Sequence, residues 1–215
     1  VVRERALAAS QQAWGTIGDT CARALTHITS SRPALNAHRG VTEIADTCAR
    51  NRVLPETVDA LWAGAAAARG ALQRYCRRKA ELLGVDKLSY AHLRAPLPGA
   101  DATLDWGDAC HGIIDAFRAY DDDMGAFAER AIGERWVEAE ARPGKRQGGF
   151  CTRLPRVRES RIFLTWSESM RSAITLAHEL GHAWHNEVLF TMDAARRRIT
   201  SATAETASTF GEALY

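Results

Sequence analysis

The stretch ITLAHELGHAWHNEVL, residues 174–189, contains two histidines and a glutamate in the order H-E-x-x-H. Its apolar residues are mostly good helix formers, which predicts an α-helix. Because residues i and i+4 of a helix lie on one face, His178 and His182 can reach one metal ion. Glu179 is rotated by about 100° from His178, so it would lie beside that ion. The stretch fits a zinc-binding helix with Glu179 as the general base, and it fits equally a chance match on an ordinary helix, so the third ligand decides between them.

The third ligand has two candidates, of which His185 is the nearer in sequence. His185 lies on the same stripe as His178, but about 10 Å further along the helix axis. Zinc–nitrogen bonds are about 2 Å long, so a straight helix cannot place both residues on one ion. The metzincin pattern needs glycine at position 185 and histidine at position 188. The sequence has His185 and Val188, which excludes that class and leaves His185 a supporting, substrate-side or surface residue.

The second candidate lies in TSATAETASTFGEALY, residues 200–215. Glu205, Ser208 and Glu212 recur there at helical spacing and share one face. A polar stripe of this kind usually faces solvent, and spacing alone leaves that alternative open. If the helix packs against Gly181, Glu205 can complete a His₂Glu site of the catalytic type. Ser208 and Glu212 would then support the ligands by hydrogen bonds.

Three segments resemble one family of zinc peptidases. LAHELGHAWH followed by AETASTFGEAL is similar to the H-E-x-G-H and E-T-A-S-T-F-N-E segments of oligoendopeptidase F, in the thimet-oligopeptidase group. Gly211 stands where the family usually has asparagine. RPGKRQGGFCTRLP, residues 142–155, resembles the family's G-K-R-x-G-G/A-F/Y-C loop. Residues 74–99 resemble the stretch that precedes the family's catalytic domain.

This resemblance implies a mainly α, gluzincin-like peptidase fold with a small β-hairpin or sheet beside the zinc helix. It implies a metalloendopeptidase with one Zn²⁺ per chain, held by His178, His182 and Glu205. Short peptides would be hydrolysed by metal-activated water, with Glu179 as the base. The family's oxyanion-stabilising residues lie on a C-terminal segment. We therefore expect them beyond Tyr215, and we expect the chain to be a fragment that requires its C-terminal remainder.

Composition changes after position 135 and predicts two regions. Residues 1–135 form a helical N-terminal region, and residues 136–215 a partial catalytic domain. Helices are predicted over residues 3–29, from Pro55 to a stop at Gly84, and from Asp105 or Asp108 through Phe127. Residues 93–100 are predicted to be a linker, and the aspartates at 121–123 a solvated loop.

Two β-prone segments, GGFCTRL and SRIFLTW, are separated by the charged turn PRVRE. Because glycine lets another backbone approach closely, Gly148 and Gly149 are predicted to contact substrate, together with Phe150 and His185. A simple bulge or hairpin turn is the alternative. Residues 161–166 lead directly into the zinc helix, so the edge of that strand is predicted to pass near the metal.

The composition is that of an ordinary globular protein. The net charge of +2 gives no indication of a nucleic-acid partner. We find no apolar run near 18 residues and no signal peptide, and the five scattered cysteines indicate reduced thiols and a cytoplasmic location. Two alternatives to the peptidase remain: a catalytically silent zinc-bound module that binds peptides or a partner, and a zinc-free helical protein with a chance motif.

Overall fold

The computed structural model describes residues 2–93, 95–97 and 103–215. The chain divides into two compact units, Val1–Asp101 and Ala102–Tyr215. Of the predicted linker at 93–100, residues 94 and 98–100 lie outside the described residues. Within the described ranges, no helix is both long enough and apolar enough to cross a membrane.

The first unit is helical, with α1 (Val2–Gly15), α2 (Gly18–Arg39), α3 (Glu43–Asn51), α4 (Pro55–Leu83) and α5 (Tyr90–Leu93). The prediction of one helix over residues 3–29 is wrong, because α1 ends at Gly15 and α2 begins at Gly18. Glycine disfavours helix interiors, and two glycines flank this turn. The prediction for α4 is confirmed, since it starts at Pro55 and is closed by Gly84 at a φ of 66°.

The second unit contains helices α6 (Trp106–Tyr120), α7 (Asp122–Gly133), α8 (Met170–Phe190) and α9 (Ser201–Leu214), and strands β1 (Val137–Glu138), β2 (Gly149–Leu154) and β3 (Glu159–Leu164). Buried side chains of α6, α7, α8 and the sheet form its core, among them Ile113, Phe117, Met124, Ile162, Leu164, Leu176 and Leu180. The composition-based boundary after residue 135 falls inside this unit, because α6 and α7 share the core of α8.

The helix predicted to run from Asp105 or Asp108 through Phe127 is two helices. Asp105 caps α6, because its carboxylate accepts a hydrogen bond from the Gly107 amide at 2.7 Å. Asp121 caps α7 in the same way, with the Met124 amide at 2.9 Å. The predicted loop at 121–123 is therefore wrong, whereas the predicted solvent exposure of these aspartates is confirmed. These carboxylates start a helix, where the helix dipole favours negative charge.

The sheet has the order β1-β3-β2, with β1 parallel and β2 antiparallel to β3. It lies against α8 through β2 and β3. This confirms the predicted mainly α fold with a small sheet beside the H-E-x-x-H helix. The prediction that the strand at 161–166 offers a free edge is wrong, because β3 is the central strand. In the order β1-β3-β2, the strand at the edge of the sheet beside α8 is β2, which pairs with β3 on one side.

Candidate metal centre

Helices α8 and α9 pack closely where glycines face each other. Ser169 caps α8 and Thr200 caps α9, each accepting from a backbone amide three residues on. A Cβ placed on Gly181 would lie 2.7 Å from the backbone oxygen of Ala207. A Cβ on Gly211 would lie 2.6 Å from the backbone oxygen of Ala177. Larger residues at either glycine would push the helices apart.

This packing brings the side chains of His178, His182 and Glu205 together. One ligating atom from each lies within 4.8 Å of the other two. Glu205 Oε2 is 3.5 Å from His178 Nε2 and 3.6 Å from His182 Nε2. Because zinc bonds to nitrogen and oxygen are each about 2 Å long, these separations suit a common ion. Among the described residues, His185 does not belong to this group.

Two further polar residues of α9 orient these groups. Glu212 Oε1 lies 2.5 Å from His178 Nδ1, on the side of the ring opposite to Nε2. The buried Ser208 hydroxyl donates to Glu205 Oε2 at 2.9 Å. Such contacts fix ring orientation and tautomer at metal sites, and a carboxylate on the far nitrogen makes the imidazole more basic.

Burial also favours, in one of the two histidines, the protonation state that a metal needs. Burial, together with the neighbouring His178, lowers the pKa of His182. The neutral imidazole is the form that binds metals. Two imidazoles and one carboxylate form a donor set that suits zinc.

Glu179 adjoins this group as a buried carboxylate, with 5% of its surface exposed. Its Oε2 has no hydrogen-bond partner within the described part of the chain. Burial, partly opposed by His178 and reinforced by Glu205, raises the pKa of Glu179 to about 7. A buried carboxylate oxygen without a partner is costly, and a nearby cation would favour its ionised form. The arrangement therefore fits a site that holds a cation and a polar reactant.

A cleft of about 450 Å³ lies over these groups, between β2, α8 and the start of α9. Of the predicted substrate-contact residues, Gly149, Phe150 and His185 line it. A Cβ on Gly149 would lie 2.7 Å from Glu179 Oε1, so only glycine lets β2 approach the predicted base so closely. Gly148 is not among the lining residues. It precedes β2 with a φ of 104°, a conformation that favours glycine.

Five residues that line the cleft were not predicted from the sequence: Cys151, Arg153, Asn186, Ile199 and Ala204. Burial raises the pKa of the Cys151 thiol to about 12, so this group stays protonated. Asn186 donates to the Ser160 hydroxyl at 3.1 Å. Strand alternation could have identified the first two, because residues 149, 151 and 153 share one face of β2. Helical spacing could have identified Asn186, one turn beyond His182.

Comparison with known proteins places this geometry in a family. The family model described as peptidase family M3 matches residues 104–215. The group B oligopeptidase PepB of Streptococcus agalactiae serotype III (strain NEM316) is 25% identical over 115 residues, which are 54% of this chain and 19% of that protein. An oligoendopeptidase F homolog of Lactococcus lactis subsp. lactis (strain IL1403) is also 25% identical over 115 residues, with the same coverage. The match thus spans about a fifth of the length of these relatives.

Solved structures show the same fold. A structure from Bacillus anthracis str. Ames, provisionally assigned to oligoendopeptidase F, superposes with a TM-score of 0.82 at 18% identity. The superposition covers 98% of this chain and 41% of that chain. The resemblance identified from the sequence motifs is confirmed, and because the family model matches more than half of its residues, the chain belongs to peptidase family M3.

Proposed function

We propose that the chain carries the zinc centre of a metalloendopeptidase that hydrolyses short peptides. The observation that carries this proposal is the convergence of His178, His182 and Glu205 beside the buried carboxylate of Glu179, all lining one cleft. Two neutral imidazoles and one carboxylate are the ligand set of a catalytic zinc site with room for a reactant. The names of the related oligopeptidases support the choice of short peptides.

The roles of the residues follow from their positions. When bound, zinc supplies Lewis acidity, which polarises the scissile carbonyl and acidifies the attacking water. Glu179 accepts the proton of that water and delivers it to the leaving amine. The Glu212 carboxylate holds the His178 ring, and the Ser208 hydroxyl holds Glu205, so the ligands keep their orientation during turnover.

The cleft also offers a way to position a peptide. β2 pairs with β3 along one edge, and within the described residues no strand covers its other edge. An extended peptide can add to such an edge through main-chain hydrogen bonds. Gly149 would let the substrate backbone pass close to Glu179, while Phe150 and His185 contact side chains of the peptide.

The proposal extends to the complete protein. Since the relatives are much longer than the matched region, we propose that further residues supply the donors that stabilise the oxyanion. A cytoplasmic location is part of the proposal and is supported by the five scattered, free cysteines.

Metal analysis combined with peptide digestion tests the proposal. The assay uses the complete protein, because the oxyanion donors are proposed to lie outside this chain. We expect one zinc per molecule by elemental mass spectrometry after dialysis, and internal cleavage of short peptides by the zinc-loaded complete protein. Removal of zinc with a chelator should stop cleavage, and added zinc should restore it. Zinc binding without cleavage of any peptide would favour the silent binding module instead. A chain that binds no zinc would show that the motif is a chance match.

Glu212→Gln is expected to weaken zinc binding by about 10- to 100-fold, the usual effect of losing a residue that supports a metal ligand. The amide keeps the size of the side chain but no longer carries the negative charge that strengthens His178 as a ligand. The measurement is zinc affinity by competition with a chelator of known affinity. Glu134→Gln, at an exposed position outside the cleft, is the matched control. Equal affinities in the two variants would contradict the role of Glu212.

A further inference from the structure

The cleft has a cationic side chain at some distance from the candidate zinc centre. Arg153 lines the cleft on the same face of β2 as Gly149 and Cys151. Gly149 lies against Glu179, and Cys151 Sγ lies 3.7 Å from the Asn186 side-chain nitrogen, further along α8. At about 3.3 Å per residue, Arg153 is roughly 13 Å along the strand from Gly149. The cleft therefore runs from the predicted base towards this arginine.

The guanidinium of Arg153 has spare hydrogen-bonding capacity. Its Nη1 donates a hydrogen bond to the backbone oxygen of Arg197 at 3.3 Å. Within the described ranges, no carboxylate lies within ion-pair distance of it. Arginine has five N–H donors, so most of them are available to a ligand. A half-buried guanidinium without a carboxylate partner is a ready site for an anion.

Among the described residues that line the cleft, Arg153 is the cationic side chain, and it lies at the end away from the candidate zinc centre. Burial, followed by the positive charge of Arg153, lowers the pKa of its neighbour His185. His185 is therefore neutral at neutral pH and can donate or accept a hydrogen bond. Among the described lining residues, the carboxylates are Glu179 and Glu205, both at the candidate zinc centre. The cleft is thus polarised along its length, with acidic groups at one end and Arg153 at the other.

We propose that Arg153 binds a carboxylate of the peptide substrate, either its terminal carboxylate or an Asp or Glu side chain. This inference rests on the peptidase function proposed above and names the class of peptide that the cleft prefers. An extended peptide advances about 3.3 Å per residue, and the arginine side chain can reach back over part of the distance. The recognised carboxylate would therefore lie about two to four residues from the scissile bond. Arg153 is a specificity-determining residue in this proposal, since it contacts substrate away from the reacting bond.

A purely structural role is the competing explanation. Arg158 and Arg197 each donate to the backbone oxygen of Phe190, so arginines do tie loops together in this unit. A structural Arg153 would affect all peptides equally when it is replaced. A carboxylate-binding Arg153 would affect only peptides that carry the negative charge. Comparing matched acidic and neutral peptides separates these roles.

The experiment uses the zinc-loaded complete protein and fluorescently labelled short peptides that differ in one group. One pair differs in a free or amidated C-terminus, and a second series places Glu or Gln at each position in turn. Binding is measured by fluorescence anisotropy, and kcat/KM by mass spectrometry of the products. A charge-assisted, bidentate contact is expected to favour the acidic member of a pair by about 10- to 100-fold. The pair that shows the preference identifies which carboxylate is recognised.

Three variants complete the test. Arg153→Gln should lose the preference and bind acidic and neutral peptides equally, and Arg153→Lys should keep part of the preference. Arg156→Gln, an exposed change of equal charge outside the cleft lining, should keep all of it. A preference that survives Arg153→Gln, or an equal loss for acidic and neutral peptides, would overturn the proposal. Absence of zinc or of any cleavage would count against the peptidase function alone, because anisotropy still reports the carboxylate preference.

Discussion

Glu205→Ala is expected to lower zinc affinity by more than the roughly 10- to 100-fold cost of losing a supporting residue, because it removes a ligand itself. Among the described residues, Glu205 Oε2 is the carboxylate oxygen that lies near both histidines, at 3.5 Å from His178 Nε2 and 3.6 Å from His182 Nε2. His178→Ala and His182→Ala should have comparable effects. His185→Ala should retain zinc, because His185 lies outside the group of converging atoms.

The measurement for these variants is zinc affinity by chelator competition, with circular dichroism to show that the helices remain. His185→Ala is the matched control, since it removes a histidine from the same helix and the same cleft. Wild-type affinity in Glu205→Ala would mean that another group completes the site. Loss of zinc in His185→Ala would contradict the predicted ligand set.

Local spacing was enough to predict which residues of α8 could share an ion, because helix geometry alone places residues 178 and 182 on one face. It could not place Glu205, whose position depends on how α9 packs on α8. Gly181 suggested a close approach, and the resemblance to known peptidases suggested which helix makes it. The contribution of Gly211 was missed. Its place against the backbone of Ala177 is a tertiary contact that no periodicity reveals.

The sheet shows the same limit. Two β-prone segments separated by a charged turn identified both long strands, and their antiparallel pairing follows from that short turn. The partner on the far side of β3 is the two-residue strand β1, Val137–Glu138, which is too short to give a pattern. Without it, β3 looked like an edge strand. The strand whose edge could pair with a peptide is therefore β2, and Arg153 lines the cleft from this strand.

The helix breaks show where local signals compete. Asp121 was interpreted as part of a solvated aspartate run, although aspartate is also a favoured N-cap. Met124 and Phe127 decide between the loop and the N-cap, because both are buried in the core of the second unit. Their burial requires the chain to change direction after α6 and begin α7 at the Asp121 cap. The sequence supports the solvated loop and the helix N-cap equally, and side-chain packing selects the N-cap.

Glu179→Gln is expected to leave zinc bound and to lower peptide hydrolysis by about 10²- to 10⁴-fold, the usual contribution of a positioned general base. The amide has the size of the carboxylate, so the close contact with Gly149 on β2 is preserved. It has no carboxylate that can take a proton from the attacking water. Because Glu179 Oε2 has no hydrogen-bond partner among the described residues, the neutral amide should not unfold the site.

The decisive comparison is kcat at equal zinc occupancy, measured in the complete protein with a peptide that its wild-type form cleaves. Glu187→Gln is the matched control on the same helix, since Glu187 forms a half-exposed ion pair with Arg130 at 2.8 Å. Pairs of this kind contribute little to stability, so this variant should keep both zinc and turnover. Near-normal turnover by zinc-loaded Glu179→Gln would show that another group accepts the proton. Loss of zinc in that variant would instead place Glu179 among the ligands, which its position beside the group of His178, His182 and Glu205 argues against.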